Sequence, residues 1–171
     1  MALILSQGCG TEQPSEKRTE SFEETKAIPW EHTVFTSDAM LSITLGQDLK
    51  PFIATYSPST IEEQISYSFE GTLENGLPFS YYVTADNDRI YEMSMDIYPD
   101  KEGLPSLFQD IRLHFDTLYH KSRPTDGYAT WKRASENGRL VEVTLSDESL
   151  EMGRPTLMVN QLEHVDRDYE D

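Results

Sequence analysis

The sequence is poor in cysteine, in basic residues and in long apolar runs. Cys9 is its one cysteine, which excludes an internal disulfide and a zinc site built on several thiolates. Lys plus Arg number 14 against 31 for Asp plus Glu, so the net charge is −17 and the clustered cations that phosphate backbones require are missing. No apolar run approaches the roughly 20 residues of a membrane-spanning helix. We therefore expect no nucleic-acid partner and no membrane-spanning helix.

Recognisable catalytic and metal-binding motifs are also missing. None of the four histidines stands in an HExxH spacing, and the chain has no GxSxG, P-loop or GxGxxG motif. Asp86 and Asp88 lie in a turn-like segment that lacks the further ligands and the glycine of a calcium loop. We expect a chain that is not an enzyme and that needs no metal or cofactor. A hydrolase whose site no motif reports is the alternative left open.

Length and aromatic content favour a folded domain. The chain has 171 residues, of which 37% are hydrophobic and 11% aromatic. A compact chain of this size buries roughly 70% of the surface that its unfolded form exposes. This aromatic content argues against wholesale disorder, so we expect a real core.

The N-terminal segment suggests a cellular location for the protein. A short apolar stretch, Ala2 to Leu5, is followed by small residues and Cys9, and then by a polar stretch rich in Glu, Ser, Thr and Lys. We interpret residues 1–9 as the remnant of a signal peptide ending at a lipidated Cys9, with residues 10–30 as a polar tether. This predicts a lipid-anchored protein of the bacterial cell envelope, in the periplasm or at the outer membrane. The alternative is a cytoplasmic chain with an ordinary frayed N-terminus.

The middle and end of the chain match each other at an offset of 62 positions. Phe69 falls on Trp131 and Tyr81 on Val143, and the tripeptide Glu-Asn-Gly at 74–76 recurs at 136–138. No gap is needed to keep this register through Met95, which falls on Leu157. Such a match is typical of a duplicated supersecondary unit.

Each copy is predicted to be one helix followed by three strands. In the second copy the apolar residues from Leu104 to Tyr119 recur every three or four positions, the spacing of an amphipathic helix. After each helix the apolar period changes to two, and Asn75-Gly76 is a strong hairpin signal. The predicted fold class is α+β, with two tandem α-β-β-β repeats that form an antiparallel sheet with helices packed on one face.

The expected boundaries follow from these units. Residues 31–100 form the first repeat, including an N-terminal edge strand within 28–36, and residues 101–162 form the second repeat. Residues 163–171 form an acidic tail, which we expect to be solvated and frayed.

The sheet face away from the helices is the predicted binding surface. If the helices cover the face that carries Phe69, Tyr81 and Trp131, the alternating residues point the other way. The apolar and aromatic members of that second set are Tyr82, Ile90, Tyr98, Tyr128, Leu140, Met158 and Leu162. Aromatic residues and Met are enriched in interface cores, so these residues are candidate partner contacts. Partial coverage by the N-terminal segment around Trp30 to Phe35 is the alternative.

This architecture resembles two known groups of proteins. The stretch from Ile43 to Leu49, a Gly before a helix, is similar to the opening common in the BamE/SmpA-like envelope lipoproteins, in which helices pack on a three-stranded antiparallel sheet. The tandem helix-and-sheet repeat over about residues 41–162 resembles the β-lactamase inhibitory proteins, which bind their target enzyme with an aromatic-rich sheet face. Those inhibitors have disulfides and larger units, and this chain has neither.

Together these observations predict a binding protein. We expect a monomer that binds an unidentified protein, or a ligand, through the open face of its sheet, and that meets a membrane only through a lipid anchor. The alternative is a small acidic inhibitor or immunity protein that binds a basic enzyme or toxin, because opposite charge steers such pairs together.

Overall fold

The protein is described here by a computed structural model. The structure describes residues 27–28, 34–37, 39–62, 65–120, 122, 124–135 and 138–164. None of the helices within these ranges has the length and hydrophobicity of a membrane-spanning helix. Cys9, the predicted tether up to residue 26 and the tail from residue 165 lie outside the described residues.

The described chain is a mixed α/β structure built mostly from antiparallel strands. The strands are β1 (Ala27–Ile28), β2 (Ala39–Met40), β3 (Ile43–Thr44), β4 (Ser59–Glu62), β5 (Ser66–Leu73), β6 (Pro78–Asp86), β7 (Arg89–Ile97), β8 (Tyr128–Ala134), β9 (Leu140–Asp147) and β10 (Leu157–Glu163). The helices are α1 (Leu49–Tyr56), α2 (Leu104–Leu118) and α3 (Ser149–Met152). The predicted α+β class is confirmed at this level.

One large sheet organises the described residues. Its strand order is β1-β5-β6-β7-β10-β9-β8, and β4 also pairs with β5. All of these pairings are antiparallel except that of β1 with β5. The strands β2 and β3 form a separate short hairpin. The third strands of the two predicted units, β7 and β10, therefore meet at the centre of the sheet.

One face of the sheet, here called the covered face, carries the core. Strand pairing places Phe69, Tyr81, Met95, Val159, Leu145 and Ala129 side by side across six strands. Directly paired antiparallel residues point to the same face, so this row defines the covered face. All of its members are buried except Phe69, which is half-buried against the core. The alternating apolar pattern thus produces one dry face.

Two helices cover that face. The Asp48 carboxylate accepts a hydrogen bond of 2.8 Å from the Lys50 backbone N–H and caps the N-terminus of α1. From α1, the ring of Phe52 packs against Tyr81 with centroids 6.4 Å apart. From α2, Phe115 packs against Trp131 with centroids 5.1 Å apart. Both helices therefore bury their apolar stripes against the covered face.

The chain before α1 also packs on the core. The Tyr81 hydroxyl donates a hydrogen bond of 3.1 Å to the carbonyl of Met40, in the β2–β3 hairpin. Phe35 is buried with its ring 5.4 Å from that of Phe115. Of the edge strand expected within 28–36, Ile28 lies in β1 and Phe35 forms an isolated bridge with Met40, while residues 29–33 lie outside the described residues. In the described part of this segment, sheet pairing is found at Ile28, opposite Leu73 of β5.

The two outer hairpins share one pairing register. Phe69 pairs with Tyr81 in β5–β6, and Trp131 pairs with Val143 in β8–β9. The inner hairpins differ in length. Tyr81 pairs with Met95, 14 residues later, whereas Val143 pairs with Gln161, 18 residues later. Gln161, and not Leu157, thus occupies the position that corresponds to Met95, because the second connection is longer.

The prediction that the acidic tail is solvated is wrong at its first residue, Glu163. Glu163 ends β10, and its side chain is 1% exposed on the covered face. Its Oε2 lies 3.4 Å from Arg89 Nη2 and 3.7 Å from Arg139 Nη1. A carboxylate can be buried when opposite charges compensate it. Composition alone suggested a solvated tail, whereas the strand pairing continues through Glu163.

Candidate binding surface on the open face of the sheet

The second face of the sheet, here called the open face, carries polar and aromatic side chains. Strand pairing places Ser68, Tyr82, Ser94, Asn160, Thr144 and Thr130 in one row across it. Every member of this row is half-buried, in contrast to the dry core behind it. This is the face on which the sequence pattern predicted the binding surface.

Six of the seven predicted contact residues lie on the open face. Tyr82, Tyr98, Met158 and Leu162 are half-buried, and Tyr128 and Leu140 are exposed. Near the centre of the sheet, Met158 pairs directly with Asp96. Tyr82 interacts with Asp96 and with Tyr98 on the same face. Tyr128 and Leu140 lie further out, on the strands β8 and β9.

Ile90 was placed on the open face by simple alternation, and that placement is wrong. Its side chain is 0% exposed and belongs to the core. Thr84 pairs with Glu92 whereas Ala85 pairs with Ile90, so β7 carries one extra residue at this point. Such a bulge reverses the direction of the side chains beyond it, which turns Ile90 to the covered face.

The centre of the open face holds a compact group that we call the tyrosine–aspartate cluster: Ser80, Tyr82, Asp96 and Tyr98. Ser80 and Asp96 are directly paired across β6 and β7. The Tyr98 hydroxyl donates a hydrogen bond of 2.9 Å to Ser80 Oγ. The cluster therefore combines two aromatic rings with one carboxylate on a rigid strand pair.

The surroundings of Asp96 disfavour the ionised form of its carboxyl group. Burial raises the pKa of Asp96 above its usual range, and the charge of Glu148 raises it further, whereas Arg154 acts in the opposite direction. Burial, followed by the charge of Asp96, also raises the pKa of Tyr82. A carboxylate with these neighbours gains from any additional cation placed beside it.

Arg154 reaches this cluster from the connection between β9 and β10. Its guanidinium carbon lies 3.7 Å from the centroid of the Tyr98 ring, a cation–π contact. Glu148 comes from the same connection, and its Oε1 accepts a hydrogen bond of 2.5 Å from Ser146 Oγ on the sheet. The sequence patterns did not identify either residue, because apolar alternation reports on strands and not on the connections between them.

The same connection presents apolar side chains to solvent. Leu150 is 89% exposed and Met152 is 46% exposed, both in the short helix α3. The connection between β6 and β7 is a turn of two residues, Asn87 and Asp88. The signal that could have identified this loop is its extra length relative to its counterpart, together with the apolar residues at its tip.

A groove of about 630 Å³ lies elsewhere, between the first half of α2 and the start of β8. Phe108 forms part of its apolar wall, and Arg112, Asp126 and Asp147 are its charged lining residues. The Asp147 carboxylate accepts hydrogen bonds from the backbone N–H and hydroxyl of Ser149, so it is engaged in its own loop. Asp147 is thus already hydrogen-bonded within its own loop, which leaves fewer polar groups in the groove to bind a ligand.

Metal ligands do not converge in the part of the chain that the structure describes, where no group of three or more His, Cys, Asp or Glu side chains could hold an ion. No family model, no curated protein and no solved structure matches this chain. Function can therefore be inferred only from the residues and geometry of the chain itself.

Proposed function

We propose that this chain is a non-enzymatic protein-binding module of the bacterial cell envelope, which binds its partner through the open face. The observation that carries the proposal is the tyrosine–aspartate cluster at the centre of a half-exposed sheet face. Strand interiors are rigid, so binding a partner there orders little additional backbone. Tyrosine is also among the residues that dominate interface energetics.

The proposal includes a duplicated architecture of two tandem α-β-β-β units. The common pairing register of Phe69 with Tyr81 and of Trp131 with Val143 supports it. So does the position of α1 over Tyr81 and of α2 over Trp131. Side-by-side units joined at β7 and β10 produce one continuous open face, which is wider than either unit could offer alone.

The partner that this face fits best is a basic protein. In the described strands, Glu70, Glu92, Asp96 and Glu142 lie on the open face. Lys132 lies on the same face, and Arg154 reaches it from the connection between β9 and β10. The Lys132 ammonium lies 3.6 Å from Glu142, which compensates one of the four carboxylates. The whole chain adds a net charge of −17, which would steer a basic partner toward it.

That charge also supports the second candidate function, an acidic inhibitor or immunity protein for a basic enzyme or toxin. The two functions share the binding surface and differ in location and in the identity of the partner. Lipid attachment at Cys9 distinguishes them. If the chain is an envelope lipoprotein, an alkyne analogue of palmitate should label it when it is expressed from its native gene, and Cys9→Ala should abolish the label. An unlabelled chain would favour the inhibitor.

Site-specific photo-crosslinking tests the binding surface. A photoreactive amino acid at Tyr128, on the open face, should trap the partner in cells. The same amino acid at Leu113 should not, although Leu113 is also exposed. The trapped protein is then identified and purified, and its binding to the purified chain is titrated at low and high salt.

Two results support the proposal: trapping confined to Tyr128, and direct binding that weakens as salt rises. Equal trapping at both positions, or no binding between the purified proteins, would contradict it.

A further inference from the structure

Arg154 occupies a site whose chemistry suits a cation from another molecule. Its guanidinium sits over the ring of Tyr98, and it is a charged neighbour of Asp96. An aromatic face beside a carboxylate is a recognised arrangement for binding ammonium and guanidinium groups. The cluster is thus a formed cation site, and it is filled by a side chain of the same molecule.

The backbone that carries Arg154 is held in place. Thr156 is fully buried, and its backbone N–H donates a hydrogen bond of 3.0 Å to Ser149 Oγ. Its carbonyl accepts a hydrogen bond of 3.0 Å from the backbone N–H of Glu148, which closes the connection on itself. Pro155 further restricts the backbone of the residue before it. Arg154 itself is exposed, so its side chain can leave Tyr98 by rotating, without any opening of the loop.

The surroundings specify the kind of group that could replace Arg154. Glu148 places a second carboxylate near Asp96, so the site favours a full positive charge. Leu150 and Met152 are exposed on the same connection, so the segment that carries Arg154 also presents apolar side chains to solvent. A protein side chain with a charged end and an apolar stem or neighbour satisfies both requirements.

We propose that the tyrosine–aspartate cluster is a recognition site for an arginine side chain of the partner, and that Arg154 is an internal plug that the partner's arginine displaces. This inference rests on the proposed function of the open face and specifies which side chain of the partner binds there. In the free protein, Arg154 supplies the positive charge over the Tyr98 ring and near the Asp96 carboxylate. It also lowers the affinity for stray cations, because each must first displace Arg154.

The test uses N-acetyl-arginine N-methylamide as the probe, titrated into the ¹⁵N-labelled full chain and followed by NMR. The Arg154→Ala protein should bind the probe about two- to five-fold more tightly than the unsubstituted protein, the range that an exposed cation–π contact contributes. The shifted amides should be those around Asp96 and Tyr98. The corresponding citrulline derivative has the same shape without the charge and should not bind. Arg154→Gln is a second plug-removing variant, and Arg112→Ala is the control for loss of an arginine away from the open face.

Equal affinity in the unsubstituted, Arg154→Ala and Arg112→Ala proteins would overturn the plug. Binding of the citrulline probe as tightly as the arginine probe would overturn charge recognition, and so would undiminished binding to Asp96→Asn. Either failure leaves the proposed function intact if crosslinking at Tyr128 still traps a partner that binds directly. If the probe binds as expected but no partner contacts the open face, the proposed function fails while the cation site stands.

Discussion

At the residue scale, single side chains divide sharply between the two faces of one strand. Trp131 on β8 is buried on the covered face, and its indole Nε1–H donates a hydrogen bond of 2.9 Å to Asp116 Oδ1. Tyr128 on the same strand is exposed on the open face. The alternation of the sequence predicted this division.

Replacing these two aromatic residues should have very different effects on stability. Trp131→Ala should lower the free energy of unfolding by about 3–5 kcal/mol, because it leaves a cavity under α2. Tyr128→Ala should change it by no more than about 0.5 kcal/mol, as surface substitutions usually do. Urea denaturation measures both. A larger loss for Tyr128→Ala than for Trp131→Ala would mean that the two faces are assigned the wrong way round.

Asp116 should make stability depend on pH. Burial alone would raise the pKa of its carboxyl, but hydrogen bonds from the Ser122 backbone N–H and the Trp131 indole outweigh burial and lower it. The folded state therefore binds this proton less readily than the unfolded state. The stabilisation is present above the ordinary pKa of 3.8 and is lost as pH falls through the lowered value.

Thermal unfolding between pH 6 and pH 2 measures this contribution. The Asp116→Asn protein should lose less stability on acidification than the unsubstituted protein does. Parallel curves for the two proteins would exclude Asp116 as a contributor.

At the element scale, periodicity was a good guide to elements and a poor guide to their irregularities. The predicted helix that begins at Leu104 corresponds to α2, which ends at Leu118. The turn at Asn87 and Asp88 was also predicted, and both residues have positive φ. A bulge leaves no comparable pattern, because one extra residue changes neither composition nor local propensity.

The bulge in β7 makes a prediction of its own. Ile90→Ala should lower the free energy of unfolding by about 2–5 kcal/mol, since Ile90 lies in the core beyond the bulge. Leu140→Ala is the matched control, because simple alternation put both residues on the same open face. Denaturant titration of the two variants should separate them by at least about 1.5 kcal/mol. Similar small losses would show that Ile90 faces solvent and that β7 is regular.

At the scale of the whole molecule, side chains distant in sequence meet around one buried carboxylate. Arg89 begins β7 and Arg139 precedes β9, and both lie near Glu163 at the end of β10. Their side chains are 37% and 40% exposed, so each ion pair alone is screened by solvent. Sequence patterns could not predict this meeting, because it depends on how β7, β10 and β9 are ordered in the sheet.

The two arginines should therefore act as partial substitutes for each other. Arg89→Ala and Arg139→Ala should each cost about 0.5–1 kcal/mol, because the remaining arginine still compensates Glu163. The double variant should cost about 3 kcal/mol or more, since it leaves a buried carboxylate without a cation. A double-mutant cycle by urea denaturation gives the coupling directly. Strict additivity would contradict a shared role.

The central claim is that the open face binds a protein through its tyrosines. The most direct measurement is the Kd of the purified, crosslink-identified partner for the Tyr82→Ala/Tyr98→Ala double variant, with Leu113→Ala as control and Tm measured for each protein. The claim predicts a Kd raised at least about tenfold, as expected when interface aromatic residues are truncated, with Tm nearly unchanged and the control unaffected. An unchanged Kd in the double variant, or a collapse of its Tm that shows the two rings to be core, would contradict it.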